Sequence, residues 1–338
     1  MLRFALFTVA IMLATGLTAA EVGQRLNRIG DEIMVCGQLY HTTAPVVLWT
    51  DPGGYDAYRV ERRFSPWEQA SWEATQAEAP LDTPNRYNIR NADQLDPELL
   101  ERVRGGGWEL EDLQEVVDQF VMHFDVCGFS KLCFKVLHDS RCLSVHFMID
   151  VDGTIYQTLD LKERAWHATT SNSRSIGVEI AHIGAYTAKG RSKLDEWYST
   201  DEDGRVRMSA PKDFVNRLGG TWVRTPNFVA RPARNELIFG EIQSVELYQY
   251  DFTPEQYDSL AKLTATLCTV FPKLKCAYPQ DESGRVIPHK LPDAQLRDFQ
   301  GVLAHYHVQT NKTDPGPAFD WERVVGGAQR LIDAKVTE

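Results

Sequence analysis

The sequence is short of positive charge. Its 338 residues carry 36 Lys and Arg against 47 Asp and Glu, a formal net charge of −11. A chain that neutralises phosphates needs the opposite balance, which excludes nucleic acid as the main partner. No CxxC pair occurs among the six cysteines (Cys36, Cys127, Cys133, Cys142, Cys268 and Cys276), so a cysteine-held zinc site is not expected. The sequence also lacks HExxH, the signature of the commonest zinc peptidases. It has no internal repeat, no heptad pattern and no low-complexity tail. The apolar run from Phe4 to Leu17 is broken by Thr8, Thr15 and Gly16 and falls short of the about 20 residues that span a bilayer.

That run fits a secretory leader instead. Arg3 precedes it, and the small residues Thr18-Ala19-Ala20 close it before Glu21. Residues 1–20 are therefore expected to be removed, leaving an exported chain, periplasmic or extracellular, with no stable membrane span. Loss of Arg3, the leader's one charged side chain, leaves 35 basic against 47 acidic residues, net −12. The remaining length suits one large core with an accessory region, or two domains. An even number of cysteines in an exported chain favours disulfides, with the pairing left open by sequence.

Residues 21–107 read as an N-terminal extension that packs on a main domain spanning 108–330. In the extension a short helix is expected over 21–32, strands within 33–49, a turn at Asp51-Pro52-Gly53-Gly54 and a helix over 96–103. The main domain should open with a helix over 110–117 and a short buried strand, Gln119–Met122, ending at His123. A helix over 129–137 follows, then two strands joined through Val151-Asp152-Gly153, a hairpin signal. Residues 175–181, SIGVEIA, form another apolar strand in which Glu179 is out of keeping. A buried carboxylate is costly unless it meets a charge, so Glu179 is expected to face one. Residues 184–240 are polar and broken by Gly and Pro, the pattern of an inserted flap. A strand over 242–250 precedes a helix opened by Thr253-Pro254-Glu255-Gln256, with Thr as cap and Pro at the first helical position. Residues 291–303 read as a last strand or loop.

One late segment gathers the groups a metal ion needs. GVLAHYHVQTNKTDPGPAFDW, residues 301–321, holds His305, His307, Lys312 and Asp314 within ten residues. Histidines and a carboxylate are suitable zinc ligands, and a catalytic zinc takes three of them with one position left open. His123, at a strand end, offers a further ligand on rigid scaffolding. His41, His138, His182 and His289 read as structural or surface residues, and His146 as support for the hairpin.

In order along the chain, His123, the hairpin SVHFMIDVDGTIYQ, AWHA, SIGVEIA, TPEQYDSLAKL and HYHVQTNKTDPGPAFDW resemble the zinc N-acetylmuramoyl-L-alanine amidases related to peptidoglycan recognition proteins and phage lysozyme-type amidases. The resemblance covers roughly residues 117–325, and its specificity lies in the ordered set. It implies an α/β (mixed) fold: a central mixed β-sheet flanked by helices, with the N-terminal extension and the long inserted loop added. It places one Zn2+ on His123, His305 and Asp314, in preference to His307. It places a catalytic glutamate at Glu179 and a catalytic lysine at Lys312. His167 and Trp166 of AWHA are expected to line the substrate site. The C-x5-C loop resembles that of the recognition proteins and implies a Cys127–Cys133 disulfide. Phage-type members carry a catalytic tyrosine just before the hairpin histidine, where this chain has Val145, which shifts the load to Glu179.

The implied activity is hydrolysis of the amide between N-acetylmuramic acid and L-alanine of a peptidoglycan or muropeptide stem. Zinc-activated water would attack, Glu179 would act as general base, and Lys312 would stabilise the oxyanion. The alternative is a recognition module that holds muropeptide without cleaving it.

Overall fold

The computed structural model describes residues 21–336 apart from 79, 80, 82, 83 and 85; the expected leader, 1–20, lies outside the described residues. Strands β1 (Glu32–Val35) and β2 (Gln38–His41) form a hairpin, followed by β3 (Val46–Leu48), α1 (Trp72–Glu78), β4 (Tyr87–Ile89), α2 (Pro97–Val103) and α3 (Leu110–Val116). Next come β5 (Gln119–Phe124), α4 (Ser130–Phe134), β6 (Phe147–Ile149), β7 (Ile155–Gln157), β8 (Glu163–Ala165) and β9 (Ser175–Ile180). Residues 184–240 carry α5 (Ser192–Trp197), β10 (Tyr198–Thr200), β11 (Val206–Met208) and α6 (Lys212–Leu218). The chain closes with β12 (Ile238–Ile242), β13 (Val245–Gln249), α7 (Pro254–Val270), α8 (Asp293–Asp298), β14 (Gly301–Ala304), α9 (His305–Val308) and α10 (Gly327–Val336).

Six strands form one mixed sheet in the order β14-β5-β9-β6-β7-β3. The first four run parallel, β7 is antiparallel to β6, and β3 is parallel to β7. Alternation along the central strands decides what each face carries. Phe120, Met122 and Phe124 of β5, with Ile176, Val178 and Ile180 of β9, join one apolar cluster with Leu260, Leu263 and Leu267 of α7. The intervening residues, including His123 and Glu179, point to the other face. Helix α7 starts where its sequence says it should: the Thr253 hydroxyl accepts from the Gln256 N–H (3.0 Å) and the Gln256 side chain accepts from the Thr253 N–H (3.0 Å). Helix α10 packs on its outer side.

Residues 21–107 are knitted into this frame. β3 forms the outer strand of the sheet, and β4 pairs with β8. Fully buried Arg90 donates to the carbonyls of Leu161 (3.0 Å) and Ser175 (2.9 Å) and meets His146 Nε2 at 2.9 Å. The Gln157 side chain holds both the N–H and the carbonyl of Met34. Among the described residues, no helix is long and apolar enough to cross a membrane.

Three local expectations are corrected. Residues 21–32 form no helix: Val22, Leu26 and Ile29 are exposed, so no apolar face is there to bury, and the Glu32 carboxylate instead accepts from the N–H groups of residues 29 to 31. The single strand over 242–250 is a hairpin, β12–β13, turned at Gln243 and Ser244 with φ of 54° and 60°. Within 291–303 a short helix, α8, precedes strand β14.

Candidate metal centre

β5 is flanked by β14 and β9, and this order assembles the site. His123 and Glu179 are register partners across the β5–β9 pair. β14 runs into the one-turn helix α9, whose first residue is His305. Asp314 arrives from the following loop, and the Tyr306 N–H donates to its carbonyl at 3.3 Å. Gln249 of β13 secures that loop: its Nε2 donates to the Pro315 carbonyl (3.0 Å) and its Oε1 accepts from the Ala318 N–H (3.0 Å). Gly316, at φ 86°, passes so close that a Cβ would lie 2.2 Å from Gln249 Oε1.

Three donor atoms converge. His123 Nδ1 lies 2.9 Å from His305 Nδ1 and 3.0 Å from Asp314 Oδ2, and His305 Nδ1 lies 2.9 Å from the same Oδ2. All three residues are buried. Two ring nitrogens and one ionised carboxylate oxygen in mutual contact cannot all be paired through protons, because the nitrogens carry at most one proton each and three contacts need three. A single cation at the centre satisfies every one. Zinc–ligand bonds of roughly 2.0–2.1 Å at tetrahedral angles set ligands about 3.3 Å apart, so an outward shift of a few tenths of an ångström admits the ion. The donor set therefore fits zinc.

Protonation states agree. Burial, and then the neighbouring His305, push His123 down to about 4. Burial opposes charge on Asp314, but the two imidazoles outweigh it and hold its carboxyl well below the usual range. Neutral imidazole and ionised carboxylate are the forms that bind metal. Behind them stand orienting partners. His123 Nε2 meets His167 Nδ1 at 3.0 Å, and His305 Nε2 meets Gln309 Oε1 at 2.6 Å. The His167 ring occupies the space over Gly177, where a Cβ would lie 2.5 Å from its Cε1 and Nδ1.

The three donors lie in a cavity of about 600 Å³ that Glu179, Lys312, Trp166 and His167 also line. Burial pushes the Glu179 carboxyl well above its usual range; Asp314 and Asp125 add repulsion, while Lys312 and Arg141 oppose it. Lys312 and Arg141 act on Glu179 without an ion pair among the described residues, and the repulsion of Asp314 leads the charge effects on it. His307 points elsewhere: its Nδ1 accepts from the Ala304 N–H (2.9 Å) and its Nε2 donates to the Ile287 carbonyl (2.7 Å). His146, His138 and His182 are likewise committed to backbone partners. Sequence reasoning missed Arg141, Arg164, Gln309 and Gln249. Nothing local marks the first three, and Gln249 ends a strand, VELYQ, that already carries Glu246, so its polarity does not single it out.

A family model described as N-acetylmuramoyl-L-alanine amidase matches residues 113–317, well over half of the chain. The chain belongs to that amidase family. Every residue of the metal-type cluster, with Glu179 and Lys312, falls inside the matched span. Among solved structures, a selenomethionine AmpD derivative is similar at 18% identity and TM-score 0.32, with 72% of this chain and 89% of that one covered. AmiD from E. coli, in complex with the substrate anhydro-N-acetylmuramic acid-L-Ala-D-gamma-Glu-L-Lys, is similar at 16% identity and TM-score 0.34, covering 62% and 57%. AmpDh3 from Pseudomonas aeruginosa, in complex with an anhydromuramic pentapeptide, is similar at 17% identity and TM-score 0.34, covering 62% and 59%. This chain thus spans somewhat over half the length of the latter two. Among curated proteins none matches the chain.

Proposed function

We propose that this chain hydrolyses the amide joining N-acetylmuramic acid to the L-alanine of peptidoglycan stem peptides, with one zinc ion held by His123, His305 and Asp314. The observation that carries the reading is the convergence of those three donors within 3.0 Å of one another beside Glu179 in one cavity. Zinc, when bound, supplies Lewis acidity and brings the pKa of water from about 15.7 towards roughly 7. Glu179 is the proton acceptor: its raised affinity for a proton lets it take one from the attacking water and return it to the leaving amine. Lys312 offers its ammonium to the carbonyl oxygen as negative charge develops there. His167 and Gln309 fix the ring orientations of His123 and His305, and Trp166 walls the substrate side of the cavity. A module that only bound muropeptide would have no use for a buried proton acceptor next to a complete donor set, which favours the hydrolase over the recognition reading.

The test is mass spectrometry of muropeptide and sacculus digests beside metal analysis. Wild-type protein should hold about one zinc per chain and release free stem peptides. Glu179→Ala should keep its zinc while release falls by ~10²–10⁴-fold. Equal yields from the two would remove Glu179 from the mechanism, and bound zinc without any released peptide would make the chain a receptor.

Export to a periplasmic or extracellular location, with residues 1–20 removed, belongs to the same proposal and is supported by the leader pattern. So does a Cys127–Cys133 disulfide: the two thiols lie within hydrogen-bonding reach of each other. Peptide mapping of exported protein without reductant checks both, through the new N-terminus and the linked pair.

A further inference from the structure

A second cavity, of about 660 Å³, lies where residues 21–107 meet strand β8. The strand alternates between the two sites: Glu163 lines this cavity, whereas Arg164 lines the metal cavity. Apart from Asp160, Lys162 and Glu163, every lining residue precedes residue 113, where the family match begins. The cavity is thus a feature of this chain's own extension.

Its walls are aromatic. Trp49 and Tyr58 have ring centroids 5.5 Å apart, Tyr58 and Tyr87 are 5.0 Å apart, and the three rings form one continuous half-buried surface. Trp108, 7% exposed, closes the floor. Tyr58 and Tyr87 lean on an apolar cluster of the core, whereas Trp49 belongs to none of these clusters and packs on Tyr58 alone among the described aromatic pairs.

The polar groups are few and unsaturated. Glu163 accepts from the Tyr58 hydroxyl through Oε1 at 3.2 Å, and its other oxygen has no protein donor among the described residues. Lys162 Nζ makes one long bond, 3.4 Å, to the Gly106 carbonyl. A Cβ on Gly106, at φ +99°, would lie 3.0 Å from that ammonium, so glycine keeps it open. Asp160 is already committed to the N–H groups of Cys36, Gly37 and Lys162. The charged groups lining the space are the carboxylates of Glu163 and Asp160 and the ammonium of Lys162, formally one negative charge in excess.

An aromatic platform with one free acceptor, one free donor and no excess of positive charge suits an uncharged sugar ring. The C–H face of a pyranose packs on the rings while its hydroxyl and amide groups take the two polar partners. A phosphate or an acidic peptide would meet Glu163, and a cation would meet Lys162. We propose that this cavity binds the uncharged, N-acetylated sugar rings of a glycan strand. That the strand is the one bearing the cleaved peptide rests on the proposed function; the sugar site itself does not.

The test is calorimetric titration of the full zinc-loaded chain with the tetramer of N-acetylglucosamine, which carries no peptide. Saturable binding, about millimolar or tighter, is expected. Trp49→Ala and Glu163→Gln should each weaken it about tenfold or more, Trp49→Phe should retain most of it, and Glu179→Ala should leave it unchanged. Glu163→Gln keeps the side chain's shape, so it carries the test if Trp49→Ala does not fold. No saturable binding, binding that ignores both Trp49→Ala and Glu163→Gln, or binding lost in Glu179→Ala would overturn the proposal. A chain that binds the tetramer through Trp49 yet releases no stem peptide overturns the hydrolase reading alone.

Discussion

Gly177→Ala should damage the metal centre without touching a ligand. Gly177 sits in β9 beneath the His167 ring, and an added Cβ would lie 2.5 Å from Cε1 and Nδ1 and 2.8 Å from Cγ. Ordinary contact begins at 3.4 Å, so the ring must retreat by about 0.9 Å. His167 Nδ1 is 3.0 Å from His123 Nε2, and such a retreat carries the pair beyond hydrogen-bonding distance. Overpacking of this kind costs about 1–3 kcal/mol of stability. Loss of an orienting partner weakens metal affinity by roughly 10–100-fold. Chelator competition gives the zinc Kd and urea denaturation gives the stability. A double-mutant cycle isolates the cause: with His167→Ala already in place, Gly177→Ala should cost little more, because nothing remains to collide with. Zinc affinity within about twofold of wild type in the single variant, or full additivity in the cycle, would refute the reasoning.

Two other outcomes follow from the same geometry. Gln249→Ala strands the Pro315 carbonyl and the Ala318 N–H in a buried setting, at about 1–3 kcal/mol each, and frees the loop that delivers Asp314. Urea midpoints with and without zinc should show lower stability and a smaller stabilisation by the ion; an unchanged zinc increment would detach Gln249 from the site. Burial raises Asp150 to about 8 from an ordinary 3.8, and its Oδ2 is buried without a partner. Because the folded state holds this proton more tightly, the stabilisation is complete below about pH 4 and is lost as pH rises through about 8, at up to about 1.4 kcal/mol per pH unit. Asp150→Asn should therefore flatten the fall in stability between pH 5 and about 8, as read from urea midpoints; a slope equal to that of wild type would contradict it.

How much of this was legible depended on range. The α7 start was plain because Thr253, Pro254 and Gln256 act on their own backbone within one turn. SIGVEIA announced both a strand and an intruder, since Ile176, Val178 and Ile180 share a face and Glu179 does not. The hairpin β12–β13 was missed because Gln243-Ser244 is not a strong turn pair, and its left-handed φ values are held from outside: Gln243 Nε2 donates to the carbonyls of Tyr306 and Gln309. The helix expected over 21–32 failed for the converse reason, having suitable residues but no surface to pack on.

The chain's own order of residues determined the strand faces and the helix cap, which neighbours within a few positions set; its composition determined the acidic balance, and the ordered set of motifs the identity of the candidate ligands. Only the folded arrangement decided that His123 would meet His305 and Asp314, 182 and 191 residues away, and that His307 would turn to the Ile287 carbonyl instead. It alone revealed the Gly177–His167 fit, the Gln249 clamp and the aromatic cavity of residues 21–107. The physical reason is that parallel neighbours such as β14, β5 and β9 are joined by long crossovers. Their side-by-side register is fixed by the packing of the whole core rather than by any local signal.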